Sequence, residues 1–300
     1  MAFSTLSLSL SAQSHISTQS HQSVVSSVVS ANYGDSQKTF FSAGEDGFLI
    51  KWTDDDQGEH YQISELPIKL TAVYPEKNLV AVYETDSGLI NRVSVWDFNT
   101  LTRKYAHRFS DSVTSLAFSA NGTYLIAGTA SVDGAVFMRA ADGTVVDKIK
   151  DAAGIFSFAS TSSSEKTFCT YSPAGTISYF NMQTGKLKEK FPTENGLSHV
   201  TTFNNDMFLA GVKNDTIFVV SALSGGTIAS YSSSRPIILA DKNDKNLYYL
   251  ENNGRNGYVL RELTASPDNK SVSAPQSVRN FKMLTGDTIS CGAKEGTYIM

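Results

Sequence analysis

Apolar and polar residues alternate along most of this chain in short runs, and clusters of Gly, Asn, Asp, Ser or Pro cut each run. Segments such as "LTAVY", "TSLAF" and "HVTTF" are typical, and a long 3.6-residue periodicity is missing. Alternation with period two sends successive side chains to opposite faces, so these runs predict strands rather than helices. One turn recurs, always after a small or apolar strand and before an alternating one. It reads "SAGEDGFLIKW" from Ser42, "VYETDSGLINRVSVW" from Val82, "AGTASVDGAVFM" from Ala127 and "CTYSPAGTISYF" from Cys169. It continues as "AGVKNDTIFVV" from Ala210, "YLENNGRNGYVL" from Tyr249 and "SCGAKEGTYIM" from Ser290. The turn residues Gly47, Gly88, Gly134, Gly175, Asp215, Gly257 and Gly296 are spaced by 41, 46, 41, 40, 42 and 39 residues.

A second turn cluster lies upstream of each of these, for example "FSANG" (Phe118–Gly122), "FNND" (Phe203–Asp206) and "LTGD" (Leu284–Asp287). A third follows the alternating strand, as in "MQTG" to Gly185 and "ALSGG" to Gly226. Such clusters are tight-turn chemistry between antiparallel neighbours. Each unit therefore reads as four strands joined by three turns. A four-stranded antiparallel unit repeated at this period is one blade of a propeller. The expectation is an all-β, seven-bladed β-propeller, with residues 1–300 forming a single domain.

The first unit carries a further signature. "HQSVVSSVVS" (His21–Ser30) followed by "FSAGEDGFLIKW" (Phe41–Trp52) resembles a WD40 repeat, with His21 ahead of the first strand and Asp46-Gly47 leading to Trp52. The second unit ends in the Trp96-Asp97 pair that names that family, and "LAFSANGTYLIAG" (Leu116–Gly128) matches its middle strands. Later units have drifted: Phe180 and Val220 stand at the tryptophan position in two of them. The resemblance implies a disc of blades with loops on two faces, acting as a protein-interaction scaffold.

The seventh unit ends at Met300 after a third strand, so a fourth is owed. "TLSLSLS" near the N-terminus alternates Leu6, Leu8 and Leu10 with Ser7, Ser9 and Ser11, which suits a strand. Residues 4–11 are therefore expected as the outer strand of the closing blade, and the protein as cytoplasmic. The alternative is an exported protein in which residues 1–12 are the remnant of a signal peptide. Against that, Met1–Ala12 contains no Lys or Arg, and its apolar residues do not form a continuous block.

Composition narrows the function classes. A net charge of −4 lacks the basic excess of a non-specific nucleic-acid binder. Cys169 and Cys291 lie far apart, the five histidines are scattered, and no HExxH, GxGxxG or GxxxxGK[ST] motif occurs. No metal and no cofactor is expected. "DDDQGEH" (Asp54–His60) lacks the ligand spacing of a calcium loop and reads as a solvated turn.

His21, Ser42 and Asp46 are the residue types of a hydrolase triad, but no GxSxG elbow accompanies them. The resemblance implies a structural hydrogen-bond chain instead, from the Trp52 indole to Ser42, His21 and Asp46. It also implies that partners meet the turns between second and third strands and the connections between blades. Two of those turns look extended, "ETDSGLINR" (Glu84–Arg92) and "ENNGRNG" (Glu251–Gly257), and each adds an arginine. Arg92, Arg255 and Arg235 are the candidate partner-binding residues, arginine being enriched at binding hot spots. The expected function is a non-catalytic, monomeric scaffold for another protein or a peptide. The alternative is a propeller that binds a small ligand or catalyses a reaction at its central channel.

Overall fold

The structure, a computed structural model, describes residues 21–30, 40–52, 58–152, 156–240, 245–252 and 257–282. The chain divides into two compact units, with the boundary between Ser110 and Asp111.

Unit one holds two four-stranded antiparallel sheets. Sheet I comprises β1 (Val25–Ser30), β2 (Phe40–Gly44), β3 (Phe48–Trp52) and β4 (Glu59–Gln62). Sheet II comprises β5 (Ile68–Tyr74), β6 (Leu79–Thr85), β7 (Asn91–Asp97) and β8 (Thr102–Phe109). Each strand pairs with its sequence neighbour, so both sheets are simple meanders. "LVAVYET" of β6 is buried at every position, as expected of a strand covered on both faces. The charged β8, "TRKYAHRF", is exposed over Thr102–Lys104 and at alternate positions after that, and forms the far edge of its sheet. Phe41, Ala43 and Leu49 of sheet I pack with Ile68, Val80, Val82 and Phe98 of sheet II in one apolar cluster.

Unit two holds four more sheets of the same kind. Sheet III comprises β9 (Val113–Phe118), β10 (Tyr124–Thr129), β11 (Ala135–Arg139) and β12 (Val145–Ile149). Sheet IV comprises β13 (Phe158–Thr161), β14 (Thr167–Ser172), β15 (Thr176–Asn181) and β16 (Leu187–Pro192). Sheet V comprises β17 (Ser198–Phe203), β18 (Phe208–Lys213), β19 (Thr216–Ser221) and β20 (Thr227–Ser232). Sheet VI comprises β21 (Ile237–Ala240), β22 (Asn246–Asn252), β23 (Gly257–Thr264) and β24 (Gln276–Lys282). Successive sheets share cores: Ile126, Phe137 and Phe156 meet Phe168 and Phe180, and Phe203 and Phe208 meet Leu247 and Tyr249.

The same hydroxyl device ties one sheet to the next in both units. Ser26, early in sheet I, donates to the Ala43 carbonyl at 3.1 Å and to the Ile68 carbonyl of sheet II. Thr114, early in sheet III, donates to the Phe156 carbonyl at 2.9 Å, just ahead of sheet IV, with the Gly128 carbonyl of its own sheet at 3.5 Å. Each hydroxyl satisfies a carbonyl of the neighbouring repeat that would otherwise be left at the seam.

The described residues form six sheets, which corrects the expectation of seven blades: the fold is all-β with six four-stranded antiparallel blades. The spacing predicts that the segment before Leu284 opens a seventh unit. That segment is instead β24, the fourth strand of sheet VI, paired with β23 from Gly257↔Lys282 to Glu262↔Gln276. A long connection closed by the Ala265↔Val272 bridge brings it back alongside β23. The turn at Gly296 and the expected closing strand at residues 4–11 lie outside the described residues. Among the described residues no helix is long and apolar enough to cross a membrane.

Phe168 is fully buried, with its ring 5.2 Å from Phe137, 6.0 Å from Phe180 and 6.2 Å from Phe156. Phe168→Ala should cost about 3–5 kcal/mol of stability through lost transfer energy and the cavity left behind. Urea unfolding would measure it, and a loss under about 1 kcal/mol would contradict this packing of sheets III and IV.

Candidate functional site

In sheet I the Trp52 indole donates to Ser42 Oγ at 2.8 Å. Ser42 Oγ lies 2.8 Å from His21 Nε2, and His21 Nδ1 lies 3.0 Å from Asp46 Oδ1 and 3.1 Å from Oδ2. His21 Nδ1–H donates to the carboxylate and Nε2 shares a hydrogen bond with the Ser42 hydroxyl, so every group has a partner. The backbone N–H of Gln22 and that of Phe48 complete the Asp46 shell at 2.8 and 3.1 Å. Burial by itself would raise the Asp46 pKa. The hydrogen bond and attraction of His21, with the two N–H groups, outweigh it and hold the group below its ordinary 3.8. Glycine at position 44 makes room for this arrangement, because a Cβ there would lie 2.6 Å from His21 Nδ1 and 2.7 Å from Asp46 Oδ1.

Sheet II answers the same requirement with different residues. Trp96 donates to Ser94 Oγ at 3.0 Å, Ser94 donates to Glu84 Oε1, and Arg92 donates to Glu84 Oε2. Trp52 pairs with Phe40 and Trp96 with Val80, so the two sheets can be aligned rung by rung. Ser42 faces Ile50 on the same rung where Val82 faces Ser94. The serine has therefore moved from the second strand to the third. On the rung of Gly44 stands Glu84, whose carboxylate takes over the role of the imidazole. The Glu84 side chain is 1% exposed and that of Arg92 24%.

This pairing places Arg92 differently from the sequence reading. "ETDSGLINR" is not one long loop, because Glu84 and Arg92 face each other within the β6–β7 ladder. Only Asp86–Ile90 connects the two strands, and that connection is tightly bonded. Thr85 Oγ1 accepts from Ser87 N at 3.0 Å, and Asp86 Oδ1 accepts from Gly88 N at 3.0 Å and Ile90 N at 2.9 Å. Those N–H groups of Ile90 and Gly88 hold the Asp86 carboxyl below its usual range. Tyr83 OH reaches Asn91 Oδ1 at 2.6 Å at the base. At the tip Leu89 is 95% exposed.

Beside the tip is an open depression of about 490 Å³. Ile63, Leu66 and Ile90 line it with Gln62, Ser64, Glu65 and Arg92. Arg92 Nε is buried and has no hydrogen-bond partner. Its other candidate companions are elsewhere. Arg235 belongs to unit two, is exposed, has φ 47, and donates its backbone N–H to Asp215 Oδ1 at 3.2 Å. Arg255 lies outside the described residues, as does most of "DDDQGEH". Burial pushes the Cys169 thiol up to about 12, so it stays protonated; Cys291 is outside the described residues.

The TP_0598_N sequence family, described as an N-terminal beta-propeller domain, matches residues 6–297. The chain belongs to this family. A TP_0598_N-like relative, an "uncharacterized protein" of Treponema pallidum (strain Nichols), is 32% identical over 197 residues. That match takes in 65% of this chain and 32% of the relative, so the chain spans about a third of that protein's length. Among solved structures, the WD40 beta propeller domain of Doa1 is similar at a TM-score of 0.62 and 19% identity. The similarity covers 87% of this chain and 85% of that one, and shows that this TP_0598_N domain shares the WD40-type propeller fold.

His21→Ala should lower the unfolding free energy by about 1–3 kcal/mol, because Ser42 and Asp46 lose their partner. A denaturant midpoint equal to that of the parent would contradict this. Asp46 has a depressed pKa in the folded state, so its contribution is present above 3.8 and lost as pH falls through the folded value. The Asp46 contribution of the parent should therefore fall away below about pH 3.8, whereas His21→Ala, which removes the main group holding that pKa down and leaves only the Gln22 and Phe48 N–H groups, should show a shallower loss there, so that the gap between the two narrows as pH falls. Melting curves across the acid range would show the two limbs; superimposed limbs would overturn the assignment. In sheet II, Glu84→Gln should cost about 1–3 kcal/mol, since it removes the charge that answers Arg92.

Proposed function

We propose that this propeller is a non-catalytic protein-interaction scaffold that binds another protein or a peptide through turns between its second and third strands. Leu89 is the observation that carries the reading: a large apolar side chain held 95% exposed on a connection fixed by its own hydrogen bonds. A loosely tethered leucine would fold back onto nearby apolar surface; this one is presented to a partner. Arg92 follows three residues later on β7, its charge answered by Glu84, and we assign it with Arg235 and Arg255 to the same class of contact.

The His21, Ser42, Asp46 and Trp52 chain is read as structural. Ser42 is fully buried, so a substrate has no path to its hydroxyl, and each atom that would act in catalysis already has a partner. The family match across residues 6–297 supports treating the span as one propeller domain.

A photo-crosslinking amino acid at position 89, in the full chain within its native cells, tests the reading. The control is the same residue at Leu223, which is also exposed but lies in the β19–β20 turn. The scaffold reading predicts a discrete protein adduct from position 89 that position 223 does not give. Equal, diffuse labelling at both positions would overturn it.

A further inference from the structure

We infer that β8, the outer edge of sheet II, receives an extended acidic segment of a partner protein, added to the sheet as a further strand. β8 ends the pairing order of its sheet. Among the described residues no backbone hydrogen bond joins Thr102–Phe109 to any strand but β7. Such an edge carries a row of unpaired N–H and C=O groups with which an extended chain can pair. At eight residues β8 is also the longest fourth strand among the six described sheets.

The side chains select the occupant. Arg103, Lys104 and Arg108 are exposed, and the chain holds no Asp or Glu between Asp97 and Asp111. Arg103 and Arg108 have no ion pair among the described residues, and Lys104 meets only Asp97, at 3.9 Å. Arg92, opposite Arg108 on β7, takes up the buried Glu84. Neither acid in the strands of sheet II is therefore left to answer the two edge arginines. None of the other five fourth strands holds three cations without an acid. The uncompensated charge along this edge is positive, which attracts an acidic segment and disfavours a basic one.

Register gives the spacing. Arg108 stands opposite Arg92 and Arg103 opposite Trp96, with a bulge in the ladder between Tyr105 and Arg103. Directly paired residues share a face, so the two arginines lie on one face of the sheet, four rungs apart. Acids at positions i and i+4 of an added strand meet both of them. A second copy of this chain fits poorly, because an antiparallel pair of β8 edges would bring like charges together. A nucleic acid offers phosphates to the arginines but no peptide groups to the strand.

The test is a phage-displayed library of random linear peptides panned on the full chain, with counter-selection on a triple variant, Arg103→Ser with Lys104→Ser and Arg108→Ser. All three positions are exposed, so the variant leaves the buried polar chains intact. Enriched peptides are then made synthetically and titrated by fluorescence anisotropy, and amide hydrogen exchange of β8 is compared in the free and peptide-bound protein. The expected peptides lack proline and carry Asp or Glu at i and i+4. They should bind about twofold to fivefold more weakly to Arg108→Ser, about tenfold more weakly to the triple variant, and more weakly in added salt. Amides of β8 should exchange more slowly in the complex. Arg108→Glu should lose the peptide and recover it when one of the two acids is changed to lysine. Enriched peptides that are basic or uncharged, or a library yielding none that tells the parent from the triple variant, would overturn the inference. Acidic peptides that bind without slowing exchange in β8 would also overturn it, since the charges would then attract anions without adding a strand. Crosslinking from position 89 decides the scaffold proposal separately, whichever of these results is obtained.

Discussion

A carboxylate set into a strand that is buried on both faces has to be answered from within its own sheet, and Glu84 imposes that requirement on unit one. Leaving a charged group unpartnered in such a place costs several kcal/mol, more than most single contacts can return. Ser94 and Arg92 reach Glu84 from the adjacent strand, and Trp96 closes the chain through Ser94. Sheet I meets the corresponding requirement through His21, which lies ahead of β1 and therefore ties the entry segment to the β2–β3 turn. In both sheets the polar chain sits close to the turn between second and third strands. Those turns inherit their fixed positions from it.

Much of this was legible in the residues. Period-two alternation and recurrent turn clusters point to antiparallel four-stranded units, and the turns at Gly47, Gly134 and Gly175 do join second to third strands. The number of blades was less legible. A period of about forty residues marks where turns fall, yet it does not say which sheet a strand joins. Gln276–Lys282 alternates well enough to open a new sheet, but the long excursion after β23 returns it to the edge of sheet VI. That pairing is set by tertiary contact and leaves no local mark.

The sheet II chain was missed for a related reason. "ETDSGLINR" is polar and rich in turn formers, so it reads as an extended loop. Whether Glu84 and Arg92 sit in solvent or across a ladder depends on the register of β6 against β7, which fixes them face to face. A signal was available: Ser94 two residues before Trp96 puts both side chains on one face of a strand, within reach of each other. The Asp86 turn was also readable in principle, because Asp and Ser followed by Gly favour side-chain-to-backbone bonds. The exposure of Leu89 was not, since it follows from how those bonds aim the tip.

The segment carrying Leu89 is held by its own hydrogen bonds to Thr85 and Asp86 and should be rigid in the free protein. Backbone ¹⁵N relaxation of the free protein over Asp86–Ile90 measures this directly. Order parameters near about 0.85, comparable to those of β6 and β7, are the predicted result. Values below about 0.6 would mean that the tip samples many conformations, and Leu89 would then be an ordinary surface loop residue rather than a docking element.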